Sequence, residues 1–171
     1  MAVVTIYSTQ LVNVNATPPQ YSGSYMTGGM DWTATDICAM GATDSAGSTY
    51  RFCRLPSNAL ILDVKVMNDA NTAGTSYKCG VYTIGGGGPA VTNADVIFFS
   101  GVTMASARNV WTSLFFPSVL NAGGLVANAT KRVWELLGLN SDSGLLYDVA
   151  VAAVTAGTAG GNLALSVNWT R

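Results

Sequence analysis

Histidine is absent from this chain of 171 residues, and charge is scarce: eight Lys and Arg face nine Asp and Glu, for a net charge of −1. A missing histidine removes the commonest general base, the usual Ser and Cys triads, and most zinc and iron sites. Carboxylate chemistry remains formally open, yet Glu135 is the sole glutamate. The neighbouring aspartate couples, Asp63/Asp69, Asp31/Asp36 and Asp142/Asp148, sit at turns or alternate with apolar residues as a strand's outer face would. The expectation is a protein that is not an enzyme, with no cofactor and no metal site.

Other absences exclude other classes. The basic residues are scattered singly or in the one pair Lys131-Arg132, so no stripe exists to neutralise phosphates, and nucleic acid is not an expected partner. No apolar run reaches the ~18 residues that a membrane helix needs. The start, MAVVTIYSTQ, has neither a basic opening nor a long apolar core, so it does not read as a secretory signal, and synthesis in a cytoplasm is expected. Three cysteines, Cys38, Cys53 and Cys79, form no CxxC spacing and read as small buried hydrophobes. Gly85-Gly86-Gly87-Gly88-Pro89 follows a predicted strand, but no Lys-Ser or Lys-Thr comes after it; it reads as a connection, not a phosphate loop. Asn140, Asp142 and Gly144 partly match a calcium loop, but Val151 stands where its closing acid belongs.

What is present is β-forming. Apolar residues make up 49% of the chain, and the charged share of 10% lies far below the usual ~25%. Such a surface fits either a neutral, Ser/Thr-covered domain or one largely given over to contacts with neighbours. Thr49 to Ile84 reads as three strands and two turns. Tyr50 to Leu55 alternate bulky and charged side chains, and Pro56-Ser57-Asn58 supplies a turn. In LILDVKVM, Leu60, Leu62, Val64 and Val66 are expected on one face, with Ile61, Asp63, Lys65 and Met67 on the other.

Further strands are expected at Ala2 to Tyr7, Val110 to Phe116, Leu145 to Val154 and Asn162 to Thr170, with Thr33 to Met40 a strand or an irregular lead-in. In the last strand Leu163, Leu165, Val167 and Trp169 share a face. Asn93-Ala94-Asp95 could cap a short helix running into Val96-Ile97-Phe98-Phe99, unless that run is a strand. Thr130 to Leu139 has helical spacing at Val133, Leu136 and Leu137, with Gly138 as its end. About eight strands with one or two short helices in the connections predict an all-β fold, an antiparallel sandwich or barrel. A jelly roll accommodates that count.

Residues 8 to 35 lack regular patterning but carry Tyr21, Tyr25 and Trp32. They read as an extended arm lying on its own domain or on a neighbour, or as an ordinary irregular loop. The expected organisation is an arm over residues 1–32 and a jelly-roll β-sandwich over 33–171.

The block RFCRLPSNALILDVKV, the strand CGVY, the stretch NADVIFFSGVTM and the closing Gly-rich loop plus strand resemble the small capsid decoration, or cement, proteins of tailed bacteriophages. The resemblance covers roughly Thr33 to Arg171 and rests on the order of these blocks. It implies a jelly roll, a homotrimer, and a seat on the capsid exterior where it ties adjacent major capsid proteins together. Tyr7, Tyr21, Tyr25 and Trp32 are then the candidate capsid or subunit contacts, because aromatics carry a disproportionate share of interface energy. Two alternatives stay open: a tail, fibre or neck component of the virion, and a carbohydrate- or receptor-binding β-sandwich.

Overall fold

The computed structural model describes residues 3–8, 11–12, 15–16, 31–115 and 130–171. Among the described residues nine strands follow in chain order: β1 (Thr5–Tyr7), β2 (Asp31–Met40), β3 (Thr49–Pro56), β4 (Leu60–Asn68), β5 (Ser76–Tyr82), β6 (Phe99–Val102), β7 (Arg108–Ser113), β8 (Leu146–Thr155) and β9 (Gly161–Thr170). They form two sheets, one ordered β1-β3-β8-β5-β6 and the other β2-β9-β4-β7. Apart from β1, eight strands switch between sheets in the order of a jelly roll, and their neighbours run antiparallel. The all-β sandwich expected from the sequence is what the chain forms.

Strands consecutive in sequence are often not neighbours in space. β3 and β5 flank β8 in one sheet, while β4 between them lies in the other. The two closing strands, β8 and β9, also belong to different sheets, so the Gly-rich segment between them is a crossover and not a hairpin. Both sheets send bulky side chains inward. Tyr50, Phe52, Leu55, Cys79, Val149 and Val151 from the five-stranded sheet meet Ile61, Val64, Val66, Leu163, Leu165 and Val167 from the four-stranded one. Cys38, Cys53 and Cys79 are buried and free, as small core hydrophobes. Burial raises the Cys38 thiol to about 12, with the Asp36 charge adding to it.

The expected alternation of β4 fails at its start. A register shift between Ile61 and Asp63 inserts one residue, which moves Ile61 into the core at 1% exposure and leaves Leu62 40% exposed. A bulge of this kind exchanges the faces of the residues on either side of it. Val64 and Val66 are buried as expected, and so are the four alternating residues of β9.

The two short helices also form, each as a single turn. α1 (Val133–Leu136) starts where Glu135 accepts the Arg132 backbone N–H at 2.7 Å, and it ends before Gly138, whose φ of 71° favours glycine. A 3-10 turn spans Ala94–Val96. Asn93 precedes it but gives no side-chain cap; it holds a left-handed φ of 64° instead, and Asp95 pairs with Lys78 at 2.5 Å. Phe98 and Phe99 then enter the core, and β6 begins at Phe99.

Candidate functional site

The outer face of the five-stranded sheet carries the densest polar arrangement among the described residues. Arg51 on β3 stands opposite Ala150 on β8, on the side away from Tyr50 and the core, yet it is 1% exposed. Three segments bury it. Asp148 of β8 accepts its Nη1 at 3.0 Å, and the Thr83 carbonyl accepts the same atom at 2.7 Å. The Gly87 carbonyl of the glycine-rich connection accepts Nη2. The rings of Tyr7 and Tyr82 lie 5.8 and 5.4 Å from the guanidinium carbon, within range of cation–π attraction. Arg54 donates Nε to the other Asp148 oxygen at 2.9 Å, so one buried carboxylate serves two guanidinium groups.

This network explains two sequence features. The glycine-rich connection folds back so that the Gly87 carbonyl, with that of Thr83 just before the run, accepts from Arg51, which gives the connection a structural role. Gly80, beside Ala150 on the same face, leaves room for the 3-10 turn: a Cβ there would stand 1.9 Å from the Ala94 carbonyl oxygen. Sequence alternation marked Arg51 as charged between bulky neighbours but gave no sign that other segments would cover it.

The described N-terminal residues extend the same sheet at its edge. β1 pairs in parallel with the edge of β3, Thr5 opposite Thr49 and Tyr7 opposite Arg51. The Ser8 N–H donates to the Arg51 carbonyl at 2.8 Å, and its hydroxyl to the Phe52 carbonyl at 2.6 Å. Arg54 Nη2 donates to Asn15 at 3.1 Å, and Leu11 is fully buried. Between β1, the glycine-rich connection and Asp95 opens a cleft of about 440 Å³ floored by Ala152, Lys78 and Tyr82. Burial and the Asp95 charge hold the Tyr82 phenol above its ordinary range, so it stays neutral.

Of the four aromatic residues expected as contacts, Tyr7 and Trp32 lie in described elements and both are half-buried. Tyr7 stacks on Arg51; Trp32 on β2 pairs with Trp169 of β9 and carries the Arg171 guanidinium 5.7 Å from its ring. Tyr21 and Tyr25 lie outside the described residues. The aspartate couples are not brought to a common task. Asp63 pairs with Lys65 and accepts from Ser113, Asp69 accepts from Asn162, and Asp142 accepts from Ser57, which with the Gly144 N–H lowers its carboxyl below the usual range. Among the described residues no group of three His, Cys, Asp or Glu could hold a metal ion.

The other outer face, on the four-stranded sheet, presents Thr33, Thr35, Ile37 and Ala39 from β2 beside Asn162, Ala164, Ser166 and Asn168 from β9. Thr35 donates to Ser166 at 2.9 Å, and Ile37 is 56% exposed. At its edge β7 pairs with β4 through Thr112 opposite Val66 and Arg108 opposite Asn68, so three residues of β7 span the single Met67. The extra residues push out Val110 and Trp111, 71% and 42% exposed. Sequence reasoning placed both in a strand and overlooked them as surface. The available signal was their adjacency, since two successive apolar strand residues cannot both face the core.

No protein-family model matches the chain, and no curated protein matches it. Two solved structures share its fold. A chain of the cyanophage Pam1 capsid asymmetric unit is 16% identical with a TM-score of 0.54, over 91% of this chain and 96% of that one. A chain from the capsid of Ralstonia phage GP4 is 17% identical with a TM-score of 0.53, over 98% of each. Both alignments run nearly end to end, so the likeness takes in the whole sandwich and not a fragment of it.

Proposed function

We propose that this chain is a structural virion protein of a tailed bacteriophage. It binds the outside of the capsid as a homotrimer and stabilises contacts between major capsid proteins. The observation that carries the reading is the near full-length correspondence of its jelly roll with chains from two phage capsids. The surfaces support it: one outer face is neutral and rich in Thr, Ser, Asn and Ala, and an apolar bulge at its edge offers the kind of aromatic anchor on which interfaces rely. Tyr7, Tyr21, Tyr25 and Trp32 are proposed as further contacts, with residues 1–32 acting as an arm that adds contact area. Many equivalent weak contacts on one particle add up to firm attachment through avidity.

The test is add-back. Purified chain is mixed with capsids assembled without it, and the particles are sedimented. Saturable cosedimentation, with a raised temperature of capsid disruption, is the expected result. A chain that stays in the supernatant at every concentration would overturn the proposal.

A further inference from the structure

Beyond the shell contact, the attachment of β1 carries an inference about how copies of this chain join. The jelly roll is complete with eight strands, and β1 is an addition at the edge of β3, three residues long and parallel. Its described polar ties run to that strand and the turn before it: Thr49 N–H to the Val4 carbonyl at 2.8 Å, Val4 N–H to the Ser48 hydroxyl at 3.2 Å, and the two Ser8 bonds to Arg51 and Phe52. Tyr7 adds its ring to Arg51. None of these contacts depends on which copy supplies the strand.

We propose that β1 is an exchangeable strand: where copies of this chain are assembled side by side, residues 3–8 of one copy occupy the β3 edge of the next. Reach is sufficient. Fourteen residues, 17–30, separate Ala16 from Asp31, and at ~3.3 Å per residue such a length spans up to ~45 Å, more than the ~30 Å width of a small domain. Occupancy is also constrained, because a vacated edge exposes the buried Arg51 and unpaired strand backbone. An identical strand from a neighbour restores every contact, which is why exchange between copies costs little once they are close. A single chain in dilute solution keeps its own β1, since a strand on the same chain meets no competing copy at that concentration. The inference therefore rests on the coat reading for the crowding that makes a neighbour's strand competitive.

Thr5 and Thr49 supply the test. They are paired in register, and their hydroxyls lie 3.2 Å apart at the surface. Cys38, Cys53 and Cys79 are buried and stay out of the reaction. Capsids are decorated with an equimolar mixture of two variants, Thr5→Cys and Thr49→Cys, and treated with a mild oxidant. A disulfide between the two chains, absent from the same mixture when dilute, is expected. The double variant Thr5→Cys/Thr49→Cys reports whether the pair can bridge at all. If it closes within one chain on the capsid while the mixture gives no linked pair, exchange is overturned and the coat reading stands. If capsids take up neither the variants nor the unmodified chain, the coat reading fails, and the mixture at about millimolar concentration in solution decides exchange by the same two outcomes.

Discussion

Arg51 and Ile37 both point away from the core, one from each sheet, and they meet opposite fates. Arg51 is 1% exposed beneath β1, Tyr7 and the glycine-rich connection; Ile37 is 56% exposed on the four-stranded sheet. A guanidinium buried on the outside of a sandwich tolerates its position because Asp148, two backbone carbonyls and two rings replace the water at its two terminal nitrogens, while Nε is left without a hydrogen-bond partner among the described residues. An isoleucine left in water beside Thr35 and Ala164 gains nothing for the isolated fold. The five-stranded sheet thus directs its outer polar groups to its own chain, to hold the segments that cover it. On β2 and β9 the four-stranded sheet leaves a neutral face of mostly small residues that does little for the monomer. Substitutions should therefore register as lost stability on the first face and as lost attachment on the second.

The largest effect is expected at Asp148. Asp148→Asn removes the one anion between Arg51 and Arg54, and breaking such a buried pair costs about 3–5 kcal/mol. Urea unfolding would read it as a lowered midpoint. Gly80→Ala comes next: its Cβ would overlap the Ala94 carbonyl at 1.9 Å, and forcing the 3-10 turn outward costs about 1–3 kcal/mol. Tyr7→Ala gives up a ring face on Arg51, worth about 0.5–2 kcal/mol, and should leave the core spectroscopically intact. Trp111→Ala should shift stability by no more than about 0.5 kcal/mol, as exposed substitutions do, yet weaken capsid cosedimentation. A Trp111→Ala chain that unfolds early, or an Asp148→Asn chain as stable as the parent, would break the contrast between the faces.

A pH titration sharpens the same picture for the sandwich as a whole. Burial raises the phenols of Tyr50, Tyr77 and Tyr82 from an ordinary 10.0, and the Asp44 hydrogen bond adds to the shift at Tyr50. Their folded pKa lies above the unfolded one, so the stabilisation they confer is complete below pH 10 and is lost as pH rises beyond it. Unfolding followed from pH 8 to 11 should show a midpoint that begins to fall near 9.0, where the buried thiols of Cys38, Cys53 and Cys79 would ionise in the unfolded chain, and falls more steeply near the unfolded tyrosine value of ~10. A midpoint independent of pH across this interval would contradict the burial of these phenols.

The strands were legible because a period of two is a local property. β9 declares its inner face through Leu163, Leu165, Val167 and Trp169, and all four are buried. Legibility stopped where a neighbour decides the outcome. The bulge at Leu62 reflects how β4 must meet β9, and nothing in LILDVKVM announces it. Partner choice was equally hidden: β3, β4 and β5 look like successive members of one sheet, but their pairing is set by β8 and β9, far downstream in the chain. The polar network was half visible. Arg51 and Asp148 stand out as charges amid apolar strands, yet only the return of the glycine-rich connection and the Tyr7 ring of the added edge strand explain why they can be buried. Trp111 was assigned to a strand correctly and to no face, because the three-for-one spacing of β7 against Met67 appears only in the pairing.

Copy number in purified particles tests the central claim most directly, by quantitative mass spectrometry against the most abundant shell protein. A ratio near one, or near a simple fraction of the shell protein, is the result expected of a stoichiometric coat component. A handful of copies per particle, or none, would contradict it.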